Sequence, residues 1–262
     1  MKKRTPPPPV ITLATDFGTE DGYVAAMKGV ILQHAPLARI MDLGHELPAH
    51  DIRHAAFFAR SAYPYFPEGT IHVMVVDPGV GSGRRGLIHP WRNGWLVGPD
   101  NGVFSLLKGF GRGAREIDLK KLGAAVSTTF HGRDVFARVA ARLAAGDKPE
   151  TAGPALGSPV RVELAEPVRS RNGIRVVPAA IDRFGNVILP IGPNEFPFEK
   201  GSVKVSSGGR IRTLPIVRTY SDLPDRGEGI LVGSHGFWEL AAQGASFASH
   251  WKIRPGGSVV LI

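Results

Sequence analysis

The first half of the chain switches between two hydrophobic periods. Short, largely apolar β-branched runs at 10–15, 39–43 and 71–77 read as strands buried in a sheet. After Asp21-Gly22, the residues Val24, Met27 and Ile31 keep helical spacing, and a second helical stretch, 51–62, stops at Tyr63-Pro64. This alternation predicts parallel pairing with right-handed crossovers. Residues 86–90 and 95–98 flank Arg92-Asn93-Gly94, a hairpin signal. A turn at 99–102 and a short helix over 103–108 follow. A further helix opens at His131, with Val135, Phe136, Val139, Ala140 and Leu143 on one face, and ends at Gly146-Asp147.

Beyond residue 150 the pattern changes. Residues 151–172 are rich in Pro and Gly and lose periodicity, which predicts a linker. Short β-rich runs come next, at 174–181, 187–189, 203–205, 210–214, 230–232 and 258–262, and only 237–242 reads as a short helix. The expected fold class is α/β. A proline-rich leader (1–9) precedes an N-terminal α/β domain (10–152) with a mostly parallel central sheet. A linker (153–172) leads to a smaller C-terminal antiparallel, barrel-like β domain (173–262).

Composition adds boundaries rather than chemistry. The chain has 262 residues, 43% apolar and 21% charged, an ordinary globular balance with room for a sizeable core. It has no cysteine, which excludes disulfides and thiolate metal sites. The basic start runs into four prolines with no apolar stretch like that of a signal peptide, and no run is long enough to span a bilayer. A cytoplasmic protein without membrane contact is expected. The net charge of +9, from 32 basic and 23 acidic residues, raises nucleic-acid binding. Its basic residues are scattered, however, and no RNA-binding aromatic motif occurs, so no nucleic-acid partner is expected.

Several motifs are missing. Gly79-x-Gly81-x-Gly83 is not a dinucleotide fingerprint, because Arg84 occupies the slot of the last glycine of G-x-G-x-x-G and no helix follows. No phosphate loop and no nucleophile elbow is found. His50 and His54 have zinc-helix spacing but lack the glutamate of H-E-x-x-H, so no metal is expected and His54 reads as a solvated helix residue.

Other positions carry more. Asp77 closes an apolar strand, where open α/β sheets place ligands, and the glycine loop delivers Arg84 seven residues later. The two can form a surface ion pair or share a small polar substrate. Asp16 ends the first strand, as a turn acid or as an acceptor for a vicinal diol. His131 lies in Thr129-Phe130-His131-Gly132-Arg133-Asp134 before an apolar helix. It reads as a surface residue by itself, and as part of an acid–base set beside Asp77 and Arg84. Asp182-Arg183-Phe184-Gly185-Asn186 reads as a hairpin turn. Ser234 in Ser234-His235-Gly236-Phe237 is a helix N-cap or an anion-binding hydroxyl beside backbone N–H groups.

Taken in order, these blocks resemble the S-adenosyl-L-methionine hydroxide adenosyltransferase (SAM hydrolase) family, related to the fluorinase and chlorinase that attack the same substrate with halide. The resemblance runs through Asp16-Phe17-Gly18-Thr19, Asp21-Gly22-Tyr23, Asp77-Pro78-Gly79-Val80-Gly81-Ser82, Gly98-Pro99-Asp100-Asn101-Gly102, His131-Gly132-Arg133-Asp134, Asp182 with Phe184-Gly185-Asn186, and Gly233-Ser234-His235-Gly236. It implies hydrolysis of S-adenosyl-L-methionine to adenosine and L-methionine by attack of activated water on ribose C5′, without cofactor or metal. It also implies a homotrimer, with each substrate between the N-terminal domain of one subunit and the C-terminal domain of the next. The family's catalytic Asp–Arg–His set falls on Asp77, Arg84 and His131. The ribose diol falls to Asp16, the methionine amine to Asp182 and the adenine edge to Asn186. Ser234 and the His235 backbone take the methionine carboxylate, while Phe17, Tyr23 and Phe184 line the substrate. In the halogenases a tyrosine stands at the position of Asp77, and the arginine and histidine are absent. A halogenase, or a nucleoside- or nucleic-acid-binding module without turnover, is the alternative reading.

Overall fold

A computed structural model of the chain describes residues 7–123, 125–162, 165–171, 173–198 and 201–262. The leader expected over 1–9 falls largely on residues 1–6, and the linker expected over 153–172 partly on 163, 164 and 172; these lie outside the described residues. The described chain forms two compact units, the first ending at Val162.

The first unit is a six-stranded sheet with helices on its faces. Its elements are β1 (Val10–Thr15), α1 (Tyr23–His34), β2 (Arg39–Gly44), α2 (Ile52–Ala62), β3 (Ile71–Val75), β4 (Gly86–Trp91), β5 (Gly94–Pro99), β6 (Arg115–Ile117) and α3 (Arg138–Ala144). The strand order is β2-β1-β3-β5-β4-β6. The β1–β2, β1–β3 and β3–β5 ladders are parallel, and β4 pairs antiparallel with both β5 and β6. The sheet is thus partly parallel, its antiparallel part being the hairpin signalled by Asn93-Gly94 together with the edge strand β6. The turn residues with positive φ are Arg92 and Asn93, one position earlier than the dipeptide suggests. Gly94 is needed for space, since a Cβ there would lie 2.0 Å from the Thr70 carbonyl oxygen.

Period-two alternation explains why β3 is buried on both sides. Ile71, Val73 and Val75 join Ile11 and Leu13 of β1 in a core shared with Met27 and Ile31 of α1 and Val139 of α3. Met74 and Val76 face the other way, with Ala55 and Ala59 of α2, Tyr63 and Phe104. One buried polar pair crosses this second face: Thr12 hydrogen-bonds the Nδ1 of His72 at 2.8 Å, in register across the ladder, and Tyr63 stacks on the same imidazole. Burial presses the His72 pKa down to about 3, so the ring stays neutral. Asp51 caps α2 by accepting from the His54 N–H at 2.9 Å. His54 is half-buried rather than solvated, and burial lowers its pKa. Residues 103–108, expected as a helix, form consecutive turns instead.

The second unit holds two antiparallel sheets. One has the order β13-β14-β10-β9, from β9 (Ala180–Ile181), β10 (Val187–Ile188), β13 (Glu228–Val232) and β14 (Trp238–Ala242). The other has the order β12-β11-β15-β8-β7, from β7 (Val168–Ser170), β8 (Gly173–Val176), β11 (Ser202–Ser207), β12 (Arg210–Pro215) and β15 (Val259–Leu261). Their apolar faces share one core containing Val176, Val187, Val205, Ile230, Leu240 and Trp251. The helix expected over 237–242 is strand β14, paired with both β13 and β10. Two flanking strands outweigh the helical preference of Glu-Leu-Ala-Ala. Among the described residues of this unit the α-helix is instead α4 (Phe247–Trp251), capped by the Ser246 hydroxyl.

Candidate active site

β1 and β3 are adjacent and parallel, with Thr15 opposite Val75. Asp16 and Asp77 therefore leave the sheet side by side at the carboxyl ends of their strands, on either side of which the strand order reverses. Both line a cavity of about 310 Å³ together with Phe17, Tyr23, His50, Val80, Phe130 and His131.

Asp77 is reached by the loop that follows it. Arg84 donates from Nε to Oδ1 at 2.8 Å and from Nη2 to Oδ2, a bidentate fork. The two side chains are only 4% and 12% exposed, so this is a buried pair and not a surface ion pair. The same Nη2 lies 3.0 Å from the Nδ1 of His131, and Nη1 donates to the Arg85 carbonyl at 3.1 Å. The guanidinium carbon also sits 5.2 Å from the centre of the Phe136 ring. Arg85 turns away to pair with buried Asp100 at 2.6 Å, which pins the end of the loop. Gly81 brings the loop against the chain before His131. Its φ is +76°, and a Cβ there would lie 2.5 Å from the Thr128 carbonyl oxygen.

His131 enters from a helix that starts unusually. Residues Gly132–Ala137 form a π-helical turn before α3, a distortion that re-aims the side chains at the helix start. Asp134 stabilises this entry. Its carboxylate accepts from the Ser127 N–H at 2.9 Å and pairs with Arg133, and the Arg133 hydrogen bonds hold it below the usual carboxylate range. The His131 imidazole is buried. Burial first, and the Arg84 charge second, lower its pKa against the pull of Asp77 and Asp134. Arginine does not act as an acceptor, so Arg84 donates to Nδ1 and the proton of the neutral ring sits on Nε2.

Asp16 has one oxygen committed: Oδ2 accepts from the His50 N–H at 2.9 Å. His50 takes a left-handed φ of 63° to aim that N–H. Phe17, Tyr23 and Phe130 form a mutually tilted or edge-on trio with centroids 5.2–5.9 Å apart. Phe130 has no role in the sequence reading; its place between Thr129 and His131 was the available signal. The first unit thus gathers Asp16, Phe17, Tyr23, Asp77 and His131 on one cavity, with Arg84 behind Asp77.

The remaining candidates belong to the second unit. Asp182 organises its own turn. Oδ1 accepts from the Phe184 and Asn186 N–H groups at 2.9 and 2.8 Å, and Oδ2 from the Asn186 amide at 2.9 Å. Asn186 is buried, whereas Phe184, at 77% exposed, is the tip. Ser234 is exposed in the turn between β13 and β14. No helix follows it, so the N-cap alternative is removed. His235 folds back, its Nε2 lying 3.2 Å from Glu239 Oε2. Among the described residues no group of three or more His, Cys, Asp or Glu side chains could hold a metal ion, and no helix is long and apolar enough to cross a membrane.

Comparison with known proteins gives the family. Residues 11–153 match the model of the SAM hydroxide adenosyltransferase N-terminal domain, and 179–260 that of its C-terminal domain. A protein of Salinispora arenicola named (R)-S-adenosyl-L-methionine hydrolase is 38% identical over 254 residues, covering 95% of each chain. One of the same name from Thermus thermophilus is 38% identical over 95% of this chain and 97% of its own. A crystal structure of an uncharacterized conserved protein from Thermotoga maritima superposes with a TM-score of 0.86 at 29% identity, covering 96% of this chain and 100% of that one. More distant relatives, such as one from Actinoplanes sp. at 25% identity, are named fluorinase. Matched along most of its length by both domain models, the chain belongs to the SAM hydroxide adenosyltransferase family.

Proposed function

We propose that this protein hydrolyses S-adenosyl-L-methionine to adenosine and L-methionine, and that Asp77, Arg84 and His131 prepare the attacking water. The supporting observation is the hydrogen-bonded trio, two of whose members, Asp77 and His131, line a cavity that Asp16 also lines. The relatives' name specifies the R configuration at sulfur, and the reading extends this preference to the present chain.

The chemistry is an in-line displacement. The water oxygen bonds to ribose C5′ as the C5′–S bond breaks, its electron pair staying on sulfur as a neutral thioether. One water proton leaves to solvent. The leaving group needs no acid, so the barrier lies with the nucleophile: bulk water has a pKa of about 15.7. Arg84 is a permanent charge with four of its five N–H groups held by Asp77, His131 and Arg85. It stabilises developing hydroxide in a site already oriented for it. Nδ1 of His131 is engaged by Arg84, so the ring offers Nε2–H as a donor to the water oxygen and not as the base. Asp77, clamped on both oxygens, keeps the guanidinium in place. The aromatic trio presents apolar surface to the cavity, which favours a step in which hydroxide and sulfonium charges cancel.

Asp16, with Oδ1 still available to a ribose hydroxyl, orients the sugar. Asp182, Asn186, Ser234 and the His235 backbone hold the amino acid and base, and Phe184 packs on the substrate. The protein acts as a cytoplasmic homotrimer in which a neighbouring copy completes each site; this part rests on family resemblance. The test is incubation with each sulfonium epimer, read by chromatography for adenosine. Turnover faster with the R epimer supports the reading. No adenosine from either epimer, or 5′-halo-adenosine formed with added halide, overturns it.

A further inference from the structure

Glu239 is a charged residue in the middle of a sheet. It sits on β14, opposite Leu231 of β13 and Ile188 of β10, and is only 3% exposed. A carboxylate so placed needs donors on both oxygens. It has them, from two turns that precede β14 in the chain. Oε1 accepts the Tyr220 O–H, and Oε2 lies 3.2 Å from the Nε2 of His235.

The His235 contact has a defined polarity. Its Nδ1 accepts the Phe237 N–H at 3.3 Å, so the neutral ring carries its proton on Nε2 and donates it to Glu239. The turn is built around this contact. A Cβ on Gly233 would lie 2.5 Å from Glu239 Oε2 and 2.6 Å from His235 Nε2, so the imidazole and the carboxylate fill the space that a side chain would need. Tyr220 begins a short turn that Thr219 and Asp222 close with a reciprocal cap. Burial, then Glu239 and Asp182, hold the phenol well above its ordinary pKa, so it remains a donor at neutral pH and lies within electrostatic reach of Asp182.

We infer that Glu239 is a positioning residue for substrate binding: one buried carboxylate locks the Tyr220 turn to the Gly233–Gly236 turn, and thereby sets Ser234 and the adjacent backbone N–H groups for the amino-acid end of the substrate. The inference rests on the function proposed above. It assigns to the second unit a device that governs affinity and leaves the chemical step alone.

Steady-state kinetics with S-adenosyl-L-methionine test it. Glu239→Ala raises KM about tenfold with kcat within about twofold, because the Ser234 turn it misplaces binds substrate and transition state alike. Glu239→Gln restores most of the affinity, since its carbonyl accepts from His235 and its amide donates to the Tyr220 oxygen. Tyr220→Phe removes one arm without disturbing the sheet, and raises KM about threefold. Wild-type KM in both Glu239→Ala and Tyr220→Phe overturns the inference. So does a fall in kcat with unchanged KM, or a Gln variant as impaired as Ala. If Glu239→Ala does not fold, Tyr220→Phe and Glu239→Gln carry the test. Absence of turnover in the wild type instead removes the functional reading, and the inference with it.

Discussion

The two units use carboxylates in opposite ways. In the first, Asp77 is buried against a guanidinium that also engages an imidazole, at the mouth of two parallel strands. In the second, Asp182 spends both oxygens on donors within its own turn. The first arrangement concentrates charge beside a cavity at a cost in desolvation; the second satisfies the backbone and side-chain donors of its own turn. Charge that the fold does not need is available to chemistry, whereas charge used to shape a turn can contribute to binding mainly through the shape it maintains.

The largest effects should follow from disturbing the first unit. Arg84→Ala should lower kcat about 10²- to 10³-fold while changing KM little, the loss expected for one positioned stabiliser of transition-state charge. It also strands Asp77. Arg84→Met alone should destabilise by about 3–5 kcal/mol in chemical unfolding, whereas adding Asp77→Leu should recover most of that. A double variant no more stable than the single would break the contrast between the units. His131→Ala should lower kcat about 10²-fold, the loss expected for one hydrogen-bond donor to developing hydroxide.

The pH profile sharpens the same point. Burial and Arg84 hold His131 below its ordinary range, and the working form is neutral. Its contribution should be complete above about pH 6.5, the unperturbed imidazole value, and be lost only as pH falls through the lowered native value. In the slow Arg84→Ala variant that acid limb should move upward, because a lowering charge has gone. A limb that does not move would contradict the Arg84–His131 contact.

Smaller effects should follow from the second unit and the loop. Gly81→Ala, which forces a side chain against the Thr128 carbonyl at positive φ, should cost about 1 kcal/mol or more of stability and lower kcat about tenfold by misplacing Arg84. Asp182→Ala should cost about 1–3 kcal/mol in the melting of the second unit and raise KM, with kcat nearly unchanged. A large fall in kcat there would erase the division of labour.

What could be read in the sequence follows from how local each signal is. β1 and its acid, the Asn93-Gly94 hairpin and the strand leading to Asp77 are continuous in the chain, and their periodicity survives folding. Asp77, Arg84 and His131 were recognisable as candidates because each lies in a short block rich in glycine or polar residues. The segment at 237–242 reads as helix because Glu, Leu and Ala favour helix locally, while its strand state depends on partners more than fifty residues upstream as well as nearby ones. The five-residue helix α4 is too short to show a period. His50 gives no sign of its left-handed φ, which glycine would have advertised. Glu239 and Tyr220 are nineteen residues apart and form no motif, so their contact is visible only in three dimensions.

The most direct test of the central claim is turnover of the wild-type protein in water carrying a heavy oxygen isotope, with both products analysed by mass spectrometry. Attack of an activated water on C5′ predicts one heavy oxygen in adenosine and none in methionine. Adenosine formed without the label would contradict the account.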